Sequence, residues 1–478
     1  MEQANANPPQ NKMATAPVNK LLLTMGLPMI LSMMLQAFYN IVDSYFVSNM
    51  ADTAELAGVG EYGINALTLA FPIQMLMIAV GVGTGVGINS LLSRSLGQGD
   101  REKASKIAGN AIFLGICTYV AFLLVGIFLV PAYFRSQTND PVIIQMGTEY
   151  LKICTILSFG AILSMIYEKL LQSVGRTIPS AVAQLAGAVT NISLDPVMIF
   201  GLLGCPRMGV AGAAYATVTG QVVTLIMSMA FHHTRNQDLN TGLKYLRPEL
   251  PVIGEIYKIG FPAILMQALM SFMTYGINII LARIGTGAVT AYGVYYKIQQ
   301  FIFFAAFGMN NAIIPIVAFN YGMKDKARMR AGIRYGMLYT LLIMLAGAIL
   351  LQVFGKPLMG AFALSESTME LCMMAIRIIT LGYLFAGANI TFQGIFQAFG
   401  NGVRSLLVSL MRLIVAVFPV AFLFTTLQNA RSMVWWAFPI AEVCALIVAG
   451  LLMVMVEKEQ NLGVSKEKPA KKPVVPEL

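Results

Sequence analysis

Apolar residues run in stretches of twenty or more along the whole chain, interrupted by Gly, Pro and charged positions. A stretch of that length crosses the hydrocarbon core of a bilayer as an α-helix, whereas a β-barrel would show short alternating segments. The interruptions predict about twelve such helices. Their expected extents are 21–49, 64–92, 107–131, 148–173, 178–203, 208–232, 254–283, 286–318, 331–354, 368–397, 403–427 and 432–456. Several exceed the minimum length, which allows tilt or a protruding end. The pattern predicts an all-α polytopic membrane protein.

The polar segments between helices sort by charge. "SRSLGQGDREKASK", "SVGRTIPS", "HHTRNQDLNTGLKYLRPELPVIGEIYK", "GMKDKARMRAGIR", "GNGVR" and "KEKPAKK" are rich in Lys and Arg. The alternating set, from "NMADTAELAG" to "LQNARS", is poor in them. The positive-inside rule puts the basic set and both termini in the cytoplasm. The expected sections are a cytoplasmic tail over 1–20, a six-helix lobe over 21–232, a linker over 233–253, a second six-helix lobe over 254–456 and a basic tail over 457–478. The first twenty residues lack the short apolar core of a cleavable signal. Within the linker, "LPVIGEIYK" is expected to lie on the inner surface as a short amphipathic helix. Trp435 and Trp436 fall at the outer end of the last helix, where interfacial anchors sit.

Composition agrees. The chain is 57% hydrophobic and 11% charged, against about 25% charged in soluble domains. Its net charge of +10 follows from the loop bias and does not indicate nucleic acid. The five cysteines are scattered, which argues against a disulfide framework or a metal cluster.

The two halves repeat each other. "GLPMILSMMLQAFYN" from Gly26 is echoed by "GFPAILMQALMSFMT" from Gly260. "SLGQGDREKASKIAGNAI" from Ser95 is echoed by "NYGMKDKARMRAGIRYGM" from Asn320, and "LLQSVGRTIPSAV" from Leu170 by "IFQAFGNGVRSLL" from Ile395. Six helices precede the join and six follow, so an axis along the membrane normal should relate the lobes, as in parallel-repeat transporters.

The repeat also serves as an internal control for buried charge. Asp43 aligns with Ile277 beside Asn278, and Asp195 aligns with Phe418, so the second copy keeps each helix without the acid. An acid in hydrocarbon costs at least about 2.5 kcal/mol on insertion scales. Gln36, Asn40 and Asp43 share one helical face, as do Asn191 and Asp195. Counted at helical rise, Asp43 lies about 9 Å short of Asn49 and Asp195 about 12 Å short of Leu203, at matching depth. Pro196 is expected to kink the fifth helix and free a carbonyl. Such an oxygen-rich group suits a proton or a hard cation such as Na⁺; the alternative is a pair of hydrogen-bonded structural acids.

The second half carries Glu442, Arg377, Arg412 and Lys297 inside its spans. Glu442 either pairs with one of these cations or faces a substrate, and the sequence leaves both open. Glu168, beside Lys169, reads as an interfacial residue. "GVGTGVG" (Gly81–Gly87) reads as a close helix-packing or flexing segment, since it lacks the Gly-Lys-Ser/Thr of a phosphate loop and lies within an apolar span. His232 and His233 read as surface residues. No cofactor is expected. There is no nucleotide-binding domain, so an ion gradient must supply any drive.

"GLPMILSMMLQAFYNIVDSYFV", "SLGQGDREKA" and "NISLDPVMIFG", together with the two six-helix halves, resemble the multidrug and toxic compound extrusion (MATE) transporters, most of all their bacterial MepA-type branch. The resemblance covers nearly the whole chain. It implies a V-shaped pair of bundles working as a cation-coupled antiporter, driven by H⁺ or Na⁺, that exports cationic amphipathic drugs and dyes. It also implies a coupling-ion site at Asp43, Asn191 and Asp195. Where some relatives carry acids in the seventh and eighth helices, this chain has Gln267, Asn278 and Lys297. The expected surroundings are a cell membrane and small organic cations, with no obligate protein partner. Two rivals stand beside this reading: a lipid-linked saccharide flippase, which would hold Arg and Lys in its cleft, and an intramembrane enzyme, which would need a nucleophile–base pair or an acid dyad.

Overall fold

Among the described residues the twelve apolar stretches fold as helices, the fourth of them bent at a break. A computed structural model describes residues 11–50, 52, 58–236, 238–360, 362 and 365–460; most of the two expected tails lies outside them. Spans 1 to 3 are Val18–Ser48, Val59–Gly97 and Arg101–Gln137. Span 4 is the pair Pro141–Ile156 and Phe159–Ser173, bent by 42°. Spans 5 to 8 are Thr177–Phe200, Val210–Arg235, Leu250–Ala282 and Thr286–Gly322, and spans 9 to 12 are Lys326–Gly360, Glu366–Ala398, Gly402–Thr425 and Ala430–Glu459. By length and hydropathy this is a membrane protein.

Several expectations need correction. Span 4 was expected as one helix from 148. It begins at Pro141, whose missing N–H is harmless in a first turn, with the Asp140 side chain accepting from Val142 N and Ile143 N. "LPVIGEIYK" is no surface helix: it forms the first turns of span 7, with Val252 and Ile256 buried against Ile88 and Leu92 of span 2. Pro196 lies inside the fifth helix, Thr177–Phe200. Trp435 is wholly buried in the second lobe, and only Trp436 stays exposed. His232 is buried too, edge-on to Tyr167 and within 3.3 Å of Thr241 and 3.1 Å of Asn236, where it helps fix the linker. His233 is exposed.

The linker lies along the basic end of span 3. Asn240 N donates to Ser105 Oγ, Tyr245 Oη to Glu102 and Glu249 N to Asn110 Oδ1, while Lys106 pairs with Glu249 at 3.1 Å. From Asn11 onward the chain before span 1 is packed as well. Met13 is buried, and Arg328 of span 9 donates to the carbonyls of Met13 and Ala16.

The lobes meet at the basic end and part toward the other. Near the basic end, apolar clusters mix the halves: Leu22 and Met25 of span 1 with Ile313 and Val317 of span 8, and Val86 of span 2 with Ile259 and Ala263 of span 7. At the far end each cluster belongs to one lobe, around Val47, Phe134 and Tyr150 in the first and Leu281, Trp435 and Ala437 in the second. Glycine makes the closest approaches. A methyl on Gly97 would strike the Phe319 carbonyl, and one on Gly322 the Arg94 carbonyl. Gly83 lies against Ile264, and Gly308 against Ile30. Each pair is the repeat image of the other, so the contacts obey the two-fold relation that the sequence echoes predict.

Candidate functional site

Spans 5 and 6 pack closely because Gly187 and Gly220 face each other, leaving no room for a side chain between them. That approach lets Asn191 reach across to span 6, where its Nδ2 lies 3.3 Å from Thr217 Oγ1 and 3.4 Å from Asp195 Oδ1. Span 1 packs on span 5 from the other side and brings Asp43 close enough to act on Asp195 through its charge. Asp43 is 8% exposed and Asp195 0%.

Three oxygens here, Asp43 Oδ1, Asn191 Oδ1 and Asp195 Oδ2, are buried with no hydrogen-bond partner among the described residues. Buried acceptors are ordinarily satisfied, and all three are the kind of atom that binds a proton or a hard cation. Tyr39, Tyr150 and Cys154 lie near Asp43, and Gln74 of span 2 donates to Tyr150 Oη at 3.3 Å. Gln36 bonds Tyr39, one turn from Asp43 on the same face. The side chain of Asn40 lies outside the described residues. Sequence reading missed Thr217, Tyr150 and Gln74, because a hydroxyl or a single amide in an apolar span leaves no signal against its neighbours.

The second lobe is arranged differently. Arg412 Nε donates to Glu442 Oε1 at 2.5 Å, and Asn389 Nδ2 to Glu442 Oε2 at 2.8 Å. The guanidinium also lies 5.6 Å from the centre of the Phe303 ring. Arg412 stands in a π-helical turn, Met411–Val415, a distortion frequent at functional sites. A cavity of ≈ 50 Å³ beside the pair, lined among others by Tyr292, Gln299 and Tyr383, has room for a few waters. The other residues expected in this group stand apart. Lys297 and Arg377 are exposed and Gln267 and Asn278 half-buried. Counting helix turns gave Lys297 and Arg377 the depth of Arg412, but depth along a helix does not say which side of it a residue occupies.

A family model, MatE, matches residues 28–197 and 262–423, one stretch in each lobe. The chain belongs to the MatE family. Among curated relatives of this MatE protein, the multidrug export protein MepA of Staphylococcus saprophyticus is 27% identical over 443 residues, 93% of this chain and 95% of the relative. MepA of Staphylococcus aureus is 26% identical over 445 residues, with the same coverage. Solved structures share the fold. A multidrug resistance MATE family transporter in its outward-facing conformation superposes with a TM-score of 0.88 at 23% identity, over 95% of this chain and 99% of that one. A MOP superfamily transporter from Pyrococcus furiosus does so at 0.86, with the same identity and coverage. The MatE protein is thus a transporter and not an enzyme.

Proposed function

We propose that this MatE protein is a multidrug exporter working as a cation-coupled antiporter. It carries small amphipathic organic cations out of the cytoplasm in exchange for H⁺ or Na⁺, and Asp43, Asn191 and Asp195, joined by Thr217, hold the coupling ion. The observation that carries this reading is the trio of buried, unpartnered oxygens in the first lobe. Glu442, by contrast, has both carboxylate oxygens engaged by Arg412 and Asn389. The names of the MepA relatives support multidrug export.

With the basic loops in the cytoplasm, the closed end faces inward and the cleft opens outward. Charged, the two acids repel each other and sit at a cost in apolar surroundings. An arriving cation removes both penalties and lets spans 1 and 5 settle together. Coupling requires only that this affinity differ between the outward and inward states. For a flippase of lipid-linked sugars, Arg412 is not free to hold a pyrophosphate, because Glu442 already neutralises it.

Ethidium efflux from energised vesicles, under separately imposed pH and Na⁺ gradients, tests the proposal. Wild type should pump under one gradient, and Asp43→Asn and Asp195→Asn should each abolish that pumping. Normal pumping by either mutant would remove that acid from the coupling site.

A further inference from the structure

Among the described lysines and arginines, Lys169 alone is buried, at 8% exposure. It projects from span 4 beside Gly85, where a larger residue would collide with its stem. Its Nζ donates to Gln172 Oε1 at 2.9 Å and, across the junction of the lobes, to Asn311 Oδ1 of span 8 at 3.1 Å. The charged neighbour beside it among the described residues is Glu168, which accepts from Gln184 Nε2 at 2.6 Å. Counted along the sequence, Glu168 belongs at the interface. The cover of span 8 puts the Lys169 ammonium inside.

The repeat shows that the fold does not require this lysine. Its image is Gly394, and the image of Gly85 is Asn310, which packs on Gly394. A large polar side chain fills the gap in each lobe, from opposite partners. Only the first lobe's version carries charge. The polar bonds around it are otherwise duplicated, Gln172 to Ser180 in one lobe and Gln397 to Ser405 in the other, each at 3.2 Å.

We propose that Lys169 is a specificity-determining residue that recognises substrates bearing a carboxylate beside their cationic part, as they enter from the basic end. The proposal rests on the transport reading above. Alternating access must part the lobes where they now touch, and parting them takes Asn311 away from the ammonium. A buried ammonium stripped of an acceptor then lines the way in, with Glu168 next to it. Together they present one positive and one negative group, complementary to a zwitterion. The polarity is opposite to that at Asp43 and Asp195, where only acceptors are unpaired. Charge-assisted hydrogen bonds are the strong ones, so the ammonium will discriminate most between ligands that differ only in a carboxylate.

Rhodamine 6G is a cationic ethyl ester whose free-acid parent is a zwitterion on the same ring system. Fluorescence anisotropy with the purified full-length protein would give Kd for each dye. Lys169→Gln is expected to weaken the free acid about tenfold and leave the ester within about twofold, and Lys169→Arg should recover most of the loss. Equal losses for both dyes, or no loss for either, would overturn the proposal. Should Lys169→Gln not fold, Asn311→Ala keeps the ammonium and removes its competitor. It should tighten the free acid relative to the ester, and an unchanged ratio would count against the proposal. Ester efflux by wild-type vesicles is scored separately. Its absence would refute the transport reading, while the dye-binding ratio would still decide the role of Lys169.

Discussion

Glu442 and Asp195 are both carboxylates inside apolar helices, and their neighbours give them opposite prospects. Glu442 is locked to Arg412 and Asn389. Removing one member of a buried ion pair strands the other, at a cost of about 3–5 kcal/mol, whereas replacing both with apolar groups is often neutral. Arg412→Met should therefore lower the thermal unfolding temperature of the purified protein sharply, and Arg412→Met with Glu442→Leu should recover most of it. A double mutant no more stable than the single one would mean that the pair does more than hold the second lobe together. Asp195 is expected to behave the other way, since Asp195→Asn removes a penalty and should leave stability unchanged or raised while export is lost. The acids were legible in the sequence because a charge stands out in an apolar run. Thr217 was not, and neither was the burial of Lys169, because both depend on what another helix lays beside them.

Helix number, order and most boundaries follow directly from hydropathy, since each span must satisfy its own backbone in the membrane. What hydropathy does not register is a break that keeps both halves apolar, as at Leu157 and Ser158 in span 4, or a helix that continues past its apolar stretch, as span 7 does through Leu250. Glycine was informative at this scale. Of the two readings of the segment Gly81–Gly87, packing or flexing, the contacts show packing, with Gly83 and Gly87 against span 7. Gly97 and Gly322 set the limit of approach between spans 2 and 8. Overpacking at such a point costs about 1–3 kcal/mol, and here only the closed seam would bear it. Gly97→Val is thus expected to shift the population toward the state open at the basic end. Spin-label distances across the two lobes would register the change, and an unaltered distance distribution would show that the seam yields elsewhere.

At the scale of the whole molecule, the lobes must separate where Ser90 Oγ now donates to the Gln397 carbonyl at 2.6 Å and lies 3.4 Å from the Ala398 carbonyl. In a background with the five native cysteines replaced, Ser90→Cys with Ala398→Cys should take a short bifunctional thiol reagent. Once bridged, the protein should stop exporting, and export should return when a cleavable bridge is cut. Continued export by the bridged protein would mean that the basic end need not open. The seam has one further consequence, which concerns ancestry. One offset along the chain carries Gly97 onto Gly322 and Arg94 onto Phe319, and the contact of Gly97 with Phe319 is returned by that of Gly322 with Arg94. Reciprocity of this kind is the mark of an isologous dimer, in which two copies meet through the same patch. A half-length forebear would have made every one of these contacts twice, against its twin. With both copies in one chain, each can be changed without the other, and Lys169 opposite Gly394 is one place where they differ.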